Sequence, residues 1–332
     1  MINRKRHIFF FTMILFLVNN LFAQNYHFSQ YFSSPLSINP ALTGYYDGSV
    51  RINATHRNQW SQDGKPFTTI AASAEARLLQ QKIDGKLGIG LMFNSDKSNG
   101  DALSTNIGSF SIAYNLPLDA DGNIELGGGL QTYFTQKKLN PFGLTFESQF
   151  GSNGFNSNIA TPEMSKSFSS SYLSVSAGLL LNIHASESAS LYIGAAMYNA
   201  NNPKSNFLNI DFNEPARLNF QLGGSFDLFE SSHLQLSSLY SFQQETSEII
   251  FGGIGIFDFS ESNSFQIGGL YRLNDAFIPY VGIGIGGLTA GISYDISGGN
   301  LKTVGILRNG TEFSLRFTRE DMSERKRKMP WY

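Results

Sequence analysis

Leu288-Thr289-Ala290-Gly291-Ile292-Ser293-Tyr294-Asp295-Ile296 decides the fold. Leu288, Ala290, Ile292, Tyr294 and Ile296 share one side of an extended chain. Thr289, Gly291, Ser293 and Asp295 share the other. A period of two is the signature of a strand with two unlike faces. The same pattern sets Leu218, Phe220, Leu222, Gly224, Phe226 and Leu228 against Asn219, Gln221, Gly223, Ser225 and Asp227. Strands of about ten residues, repeated along a chain and joined by polar turns, are the mark of a transmembrane β-barrel.

The repeat runs from about residue 49 to 317. It predicts about fourteen strands, over 49–57, 67–78, 86–94, 104–116, 123–135, 172–183, 189–198, 217–228, 233–243, 248–258, 264–272, 277–286, 288–296 and 311–317. The connections differ by parity. Those after even-numbered strands are short, as at Pro117 to Gly122, His184 to Ser188, Phe229 to Ser232 and Gly286-Gly287. Several after odd-numbered strands are long, at 136–171, 199–216 and 297–310. An outer-membrane barrel has this asymmetry, with short periplasmic turns and long external loops. The apolar series Leu173, Val175, Ala177, Leu179, Leu181 and Ile183 is expected to face lipid, and Ser174, Ser176, Gly178 and Asn182 the lumen. Tyr133, Phe134, Tyr198, Tyr240, Phe242, Phe257 and Phe259 are expected in interfacial girdles.

Composition agrees. Charged residues make up 15% of the 332, below the usual quarter of a soluble domain. A net charge of -2 gives no footing for nucleic acid. The absence of cysteine excludes disulfides, thiolate metal sites and cysteine nucleophiles. Arg4, Lys5, Arg6 and His7 precede an apolar run, Ile8 to Val18, that is too short to span a bilayer as a helix. With Ala23 before Gln24, residues 1–23 read as a cleaved signal peptide. The expected organisation is therefore signal peptide 1–23, an N-terminal plug-like segment 24–48, an all-β antiparallel outer-membrane barrel 49–317, and a basic periplasmic tail 318–332. Pro35 and Pro40 bar the 24–48 segment from being a continuous helix or a central strand. It is expected to pack inside or under the periplasmic mouth. The tail carries Arg325-Lys326-Arg327-Lys328. It reads as a solvated end, with contact to a partner or to anionic headgroups as the alternative.

Further residues go beyond a generic barrel. Phe28-Ser29-Gln30-Tyr31-Phe32, Pro35-Leu36, Asn39-Pro40-Ala41-Leu42-Thr43-Gly44 and Arg57-Asn58-Gln59-Trp60 follow the signal peptide. Tyr271-Arg272-Leu273-Asn274-Asp275-Ala276, Ser293-Tyr294-Asp295-Ile296 and Gly310-Thr311-Glu312-Phe313 stand near the other end. In combination this series resembles the PorP/SprF family of type IX secretion system membrane proteins of Bacteroidota, over essentially the whole mature chain. The resemblance implies an outer-membrane barrel that works with the secretion and gliding machinery. It implies two kinds of protein partner: large adhesin-like proteins with a C-terminal sorting domain, exported or retained at the surface, and periplasmic secretion components. Where family members often carry Cys-Pro near the C-terminus, this chain has Met329-Pro330, so a role for that cysteine does not transfer.

Catalysis finds little support. His7, His27, His56, His184 and His233 are scattered, and no two have metal-ligand spacing on one element. No cofactor, metal or catalytic residue is expected. Gly282-Ile283-Gly284-Ile285-Gly286 lies in a strand and opens no helix, so it is no phosphate loop. The candidate structural or partner-binding residues are Phe28, Gln30, Tyr31, Asn39, Pro40, Gly44, Arg57, Trp60, Arg272, Asp275, Tyr294 and Asp295. Arg272 and Asp275 flank a turn and suit an ion pair that pins the rim. Asp295 in a lumen needs a cationic partner, for which Arg57 is the candidate. Rim and plug stabilisation fits these residues as well as a direct role with a partner. A diffusion porin or ligand transporter with a lumen of Ser, Asn and Gln is the second function reading, and an exported β-sandwich is the third.

Overall fold

The computed structural model describes residues 27–59, 66–78, 85–98, 100–141, 144–151, 154–156, 158–159, 161, 167–208, 210–260, 262–298 and 309–319. The expected signal peptide, residues 24–26, Trp60 and residues 320–332 of the expected tail lie outside them.

Alternation becomes strand throughout. The strands are β1 (Val50–Gln59), β2 (Phe67–Leu78), β3 (Lys86–Ser98), β4 (Leu103–Pro117), β5 (Ile124–Leu139), β6 (Phe150–Gly151), β7 (Gly154–Phe155), β8 (Phe168–Ser186) and β9 (Ala189–Tyr198). They continue with β10 (Lys204–Phe207), β11 (Ile210–Asn213), β12 (Arg217–Phe229), β13 (Ser232–Gln243), β14 (Thr246–Ser260), β15 (Asn263–Arg272), β16 (Ala276–Ile285), β17 (Leu288–Ser297) and β18 (Gly310–Arg319). Fourteen of them form one closed antiparallel barrel; β6–β7 and β10–β11 are separate hairpins. Closure is by β1 against β18, from Val50 opposite Arg319 to Gln59 opposite Gly310. A closed sheet leaves no edge to lipid, the one environment that cannot satisfy free N–H and C=O groups.

The molecule is inside-out relative to a soluble protein. Leu91, Leu130, Leu173, Leu179, Leu222 and Ile283 stand on the outer wall, whereas Arg57, Asn94, Ser111, Gln131, Ser174, Asn182 and Glu312 are buried in the lumen. Hydrocarbon solvates the first set, so its outward phase costs nothing. Alternation also corrects two girdle expectations. Tyr133 and Tyr198 fall on the inward phase and are buried, while Phe134, Tyr240, Phe242, Phe257 and Phe259 face outward.

Beside the last outward apolar residues, Phe134 and Leu173, the expected β5 ends at 135 and the expected β8 starts at 172, both short of the observed strands. Ladder pairing continues through Gln136 opposite Ser171 to Leu139 opposite Phe168. Backbone hydrogen bonds need no apolar side chain once the strand has left the hydrocarbon. The expected 136–171 loop therefore includes the ends of β5 and β8 and the β6–β7 hairpin, and the 199–216 loop includes β10–β11. The rims do differ. One rim carries only brief connections, such as Gly286-Gly287, both at positive φ as a tight hairpin turn requires. The other carries the long ones.

Candidate functional site: a lumenal segment and its anchors

Residues 28–46 lie within the barrel. Two prolines and a capping asparagine break the segment into 3-10 turns at Tyr31–Ser33, Pro35–Ser37 and Pro40–Leu42. Asn39 Oδ1 accepts from Ala41 N at 2.9 Å and so caps the third. The turns present Tyr31, Ile38, Ala41, Leu42 and Tyr45 to inward-pointing Leu180, Tyr192, Leu239, Ile250, Leu270 and Ile278, forming one buried apolar cluster. A short segment that touches β5, β8, β13, β14, β15 and β16 at once can only run through the lumen. Leu180 and Ile250 break the rule of polar inward residues at the places where this segment covers them.

The segment crosses the lumen from one rim towards the other. Ser49 N donates to Arg319 O at 2.9 Å, at the short-turn rim where β1 starts and β18 ends. Ser29 and Gln30 sit near the long-loop rim, among residues close to the outer ends of β1, β15, β17 and β18.

There the wall supplies a buried ionic network. Arg57 on β1 binds Asp295 on β17 (Nη2–Oδ2, 2.7 Å) and Glu312 on β18 (Nη1–Oε2, 2.9 Å). Arg272 at the end of β15 shares Asp295 (3.0 Å), and binds Asp275 (2.9 Å) and Glu248 (3.3 Å). Arg57 and Glu312 are fully buried, and Asp295 and Arg272 almost so. Two guanidinium groups and the Asp295 and Glu312 carboxylates balance at the centre. That balance is the condition for charges to persist away from water. The segment enters this network with neutral groups. Ser29 N and Gln30 N donate to the two oxygens of Glu312, each at 2.8 Å. Ser29 Oγ donates to Asp295 at 2.6 Å and accepts from Arg272 at 2.7 Å and from Arg57. Gln30 Nε2 donates to Ser293 Oγ (3.0 Å) and Glu312 O (2.9 Å), and its Oε1 accepts from Ser314 (2.6 Å).

The opposite end is held differently. Arg51 and Glu75 form a two-point pair at 3.0 Å each. Glu75 also accepts from Gly44 N at 3.1 Å, and the Arg51 guanidinium lies 4.4 Å from the centre of the Tyr46 ring. Gly44 takes a left-handed φ of +72°, and its Cα faces Gly88 on β3 so closely that a Cβ on either would strike the other's backbone. Tyr45 Oη donates to Glu125 at 2.8 Å, and Lys86 pairs with Glu125 at 2.7 Å. Between the two ends, Asn39 Nδ2, Tyr198 Oη, Arg217 Nη2 and Asn219 Nδ2 donate to Leu179 O, Leu36 O, Ser37 O and Ile38 O at 2.9–3.1 Å.

The structure thus brings most of the candidates together. Gln30, Arg57, Arg272, Asp275 and Asp295 share the ionic network. Tyr31 donates to Ser237 at 2.6 Å, Pro40 lies against Gly129, and Phe28 is buried. Tyr294 does not join them: its phase turns it onto the outer wall, 40% exposed. Sequence reasoning passed over Arg51, Glu75, Glu125 and, as a site residue, Glu312. The available signal was a charge on the inward phase of a strand whose outward phase is apolar. Among the described residues no group of His, Asp and Glu is arranged to hold a metal ion.

Comparison with protein families matches residues 20–317 to the family described as type IX secretion system membrane protein PorP/SprF. Comparison with curated proteins found no match. Among solved structures, the chain is similar to the toluene transporter TbuX of Ralstonia pickettii at TM-score 0.52 and 9% identity, over 87% of this chain and 94% of that one. It is similar to the CymD monoaromatic hydrocarbon channel at 0.51 and 10%, over 87% and 93%. The toluene transporter TodX of Pseudomonas putida follows at 0.50 and 9%, over 85% and 92%. At such identities these likenesses establish the outer-membrane barrel fold.

Proposed function

The chain belongs to the PorP/SprF family of type IX secretion membrane proteins, and from that premise we propose that it supports export or surface anchoring of a large adhesin-like protein without passing it through its own lumen. The long-loop rim faces outward and holds the exported protein, whose C-terminal sorting domain is the natural contact. The short-turn rim and the basic tail face the periplasm and meet the secretion machinery. Gliding motility, where the cell has it, draws on the same displayed adhesin. Members of this family and fold are secretion and transport barrels, and no catalytic step is assigned to any residue here.

The observation that carries this reading is the anchored segment. Residues 28–46 are tied to the wall at both ends and along the middle, and so occupy the bore that a passing polypeptide would need. A platform needs a rigid scaffold and mobile rims; a conduit needs an open bore. In a deletion strain, surface display of one large exported protein is expected to vanish while uptake of small hydrophilic dyes stays unchanged. Normal display in that strain overturns the proposal.

One observation favours the porin reading. Gln131 Oε1, both amide atoms of Gln221, and Ser176 Oγ are buried in the lumen without a protein hydrogen-bond partner. Such groups need water. Hydrated gaps beside the segment would let small ions through but not a ligand of any size, and bilayer conductance separates these cases.

A further inference from the structure

The outer end of β8 is an unfinished edge. On one side β8 pairs with β5 along its length, from Phe168 to Ile183. On the other, pairing with β9 begins only at Ala177 opposite Met197. Above that point the chain improvises. Ala200 N donates to Val175 O at 2.9 Å. Asn201 then caps the next positions with its side-chain amide, accepting from Val175 N at 3.1 Å and donating to Leu173 O at 3.1 Å. Residues 173 and 175 therefore point their main-chain groups to this side. Alternation gives the same direction to Ser171 and Ser169. Among the described residues, nothing pairs with the main-chain groups of these two on that side. Both lie beyond Leu173, the last outward apolar residue of the strand, and hence in water.

This edge borders a hollow of about 660 Å³ between Ser169–Ser171 and the β10–β11 hairpin. The hairpin is braced from below, where Ser205 Oγ meets Ser170 Oγ at 3.1 Å and Glu214 pairs with Lys137. Phe212 lines the hollow, and Ile210 on the same short strand is 63% exposed. N–H and C=O groups that no described residue meets, at two-residue spacing and beside a wall with apolar and polar side chains, specify one occupant by chemistry: an extended polypeptide backbone. A sugar or a lipid headgroup has no matching period.

We propose that an extended segment of the exported protein adds as a strand to the Ser169–Ser171 edge of β8, in the hollow under β10–β11. This rests on the reading of the chain as a platform for exported cargo and names the place where the cargo is held. Specificity comes from the side chains that the hairpin receives, and hold comes from the main chain.

Proline tests the edge without touching the barrel. At positions 169 and 171 the N–H points away from β5, so proline removes the free donors and leaves the β5–β8 ladder intact. In a deletion strain, S169P/S171P and S169A/S171A are each restored on the full chain, and the surface level of the exported protein is measured. The alanine pair, which keeps the edge, should match wild type. The proline pair should lower display about tenfold or more, since two donors are lost and their acceptors left unmet. Wild-type display with the proline pair, or an equal loss with the alanine pair, overturns the proposal and leaves the platform reading standing. Normal display in the deletion strain itself overturns both. Hydrogen exchange on the purified wild-type chain is the second measurement. The Ser169 and Ser171 amides should exchange quickly while that of Ser170, bonded to β5, stays protected. Slow exchange at all three means the edge is already filled by this chain and contradicts the proposal.

Discussion

The two ends of the lumenal segment are fastened by unlike means. At the long-loop end the segment contributes Ser29 and Gln30, both neutral, to a network of Arg57, Arg272, Asp295 and Glu312 that joins four strands. At the short-turn end it contributes a left-handed glycine and two buried tyrosines, held by the separate Arg51–Glu75 and Lys86–Glu125 pairs and by covalent continuity with β1. The first end depends on one shared charge network, and the second on two separate ion pairs together with close packing at Gly44. At the short-turn end the chain runs straight into β1, so ion pairs and packing add to a covalent tie; at the long-loop end the hold shown by the described residues is directional and charge-assisted. The outer anchor is therefore where the segment would let go first.

Several changes bear on that contrast, in falling order of effect. Arg57→Ala leaves Asp295 and Glu312 buried with one cation fewer, a loss of about 3–5 kcal/mol by analogy with other broken buried pairs. The temperature at which the folded band converts on a gel should fall markedly, and added protease should reach residues near Ser29. At the other end, Gly88→Val drives a side chain into Thr43 and Gly44. Because the atoms struck are backbone, this overpacking should cost about 3 kcal/mol, and it should lower the same temperature while leaving Ser29 protected. Glu75→Gln keeps the shape and removes the charge that faces Arg51. The cost should be about 1.5–3 kcal/mol if the charged hydrogen bonds matter as such, and a null effect would show that packing alone holds this end. Tyr31→Phe removes one bond, to Ser237 on β13, just inward of the outer anchor. It should cost about 0.5–1.5 kcal/mol, read as a small shift in the same melting assay.

The strands were legible because a two-residue period needs only local sequence. Leu173 to Ile183 and Leu288 to Ile296 state their two faces without reference to any other part of the chain. The Arg57–Asp295 and Arg272–Asp275 pairs were legible too, because an inward carboxylate has few remedies. Arg51–Glu75 was not, since it depends on the register of β1 against β2, where Arg51 stands opposite Glu75. Glu312 lay in plain view within Gly310-Thr311-Glu312-Phe313. Its role appeared only once β18 closed on β1 and set Glu312 opposite Arg57. The extended ends of β5 and β8 escaped notice because their hydrogen bonding outlasts their amphipathicity. The path of residues 28–46 through the lumen is a tertiary fact, hinted at by the apolar, proline-broken run over 24–48 and by inward apolar residues such as Leu180 and Ile250.

A segment fixed in the lumen should block current through the barrel. Planar-bilayer conductance of the purified full chain, wild type beside Arg57→Ala/Arg272→Ala, tests that most directly. Wild type should give little or no steady current, and the double variant, its outer anchor gone, should open to large, flickering steps. A wild-type chain that conducts as a stable open pore, unchanged in the variant, would contradict it.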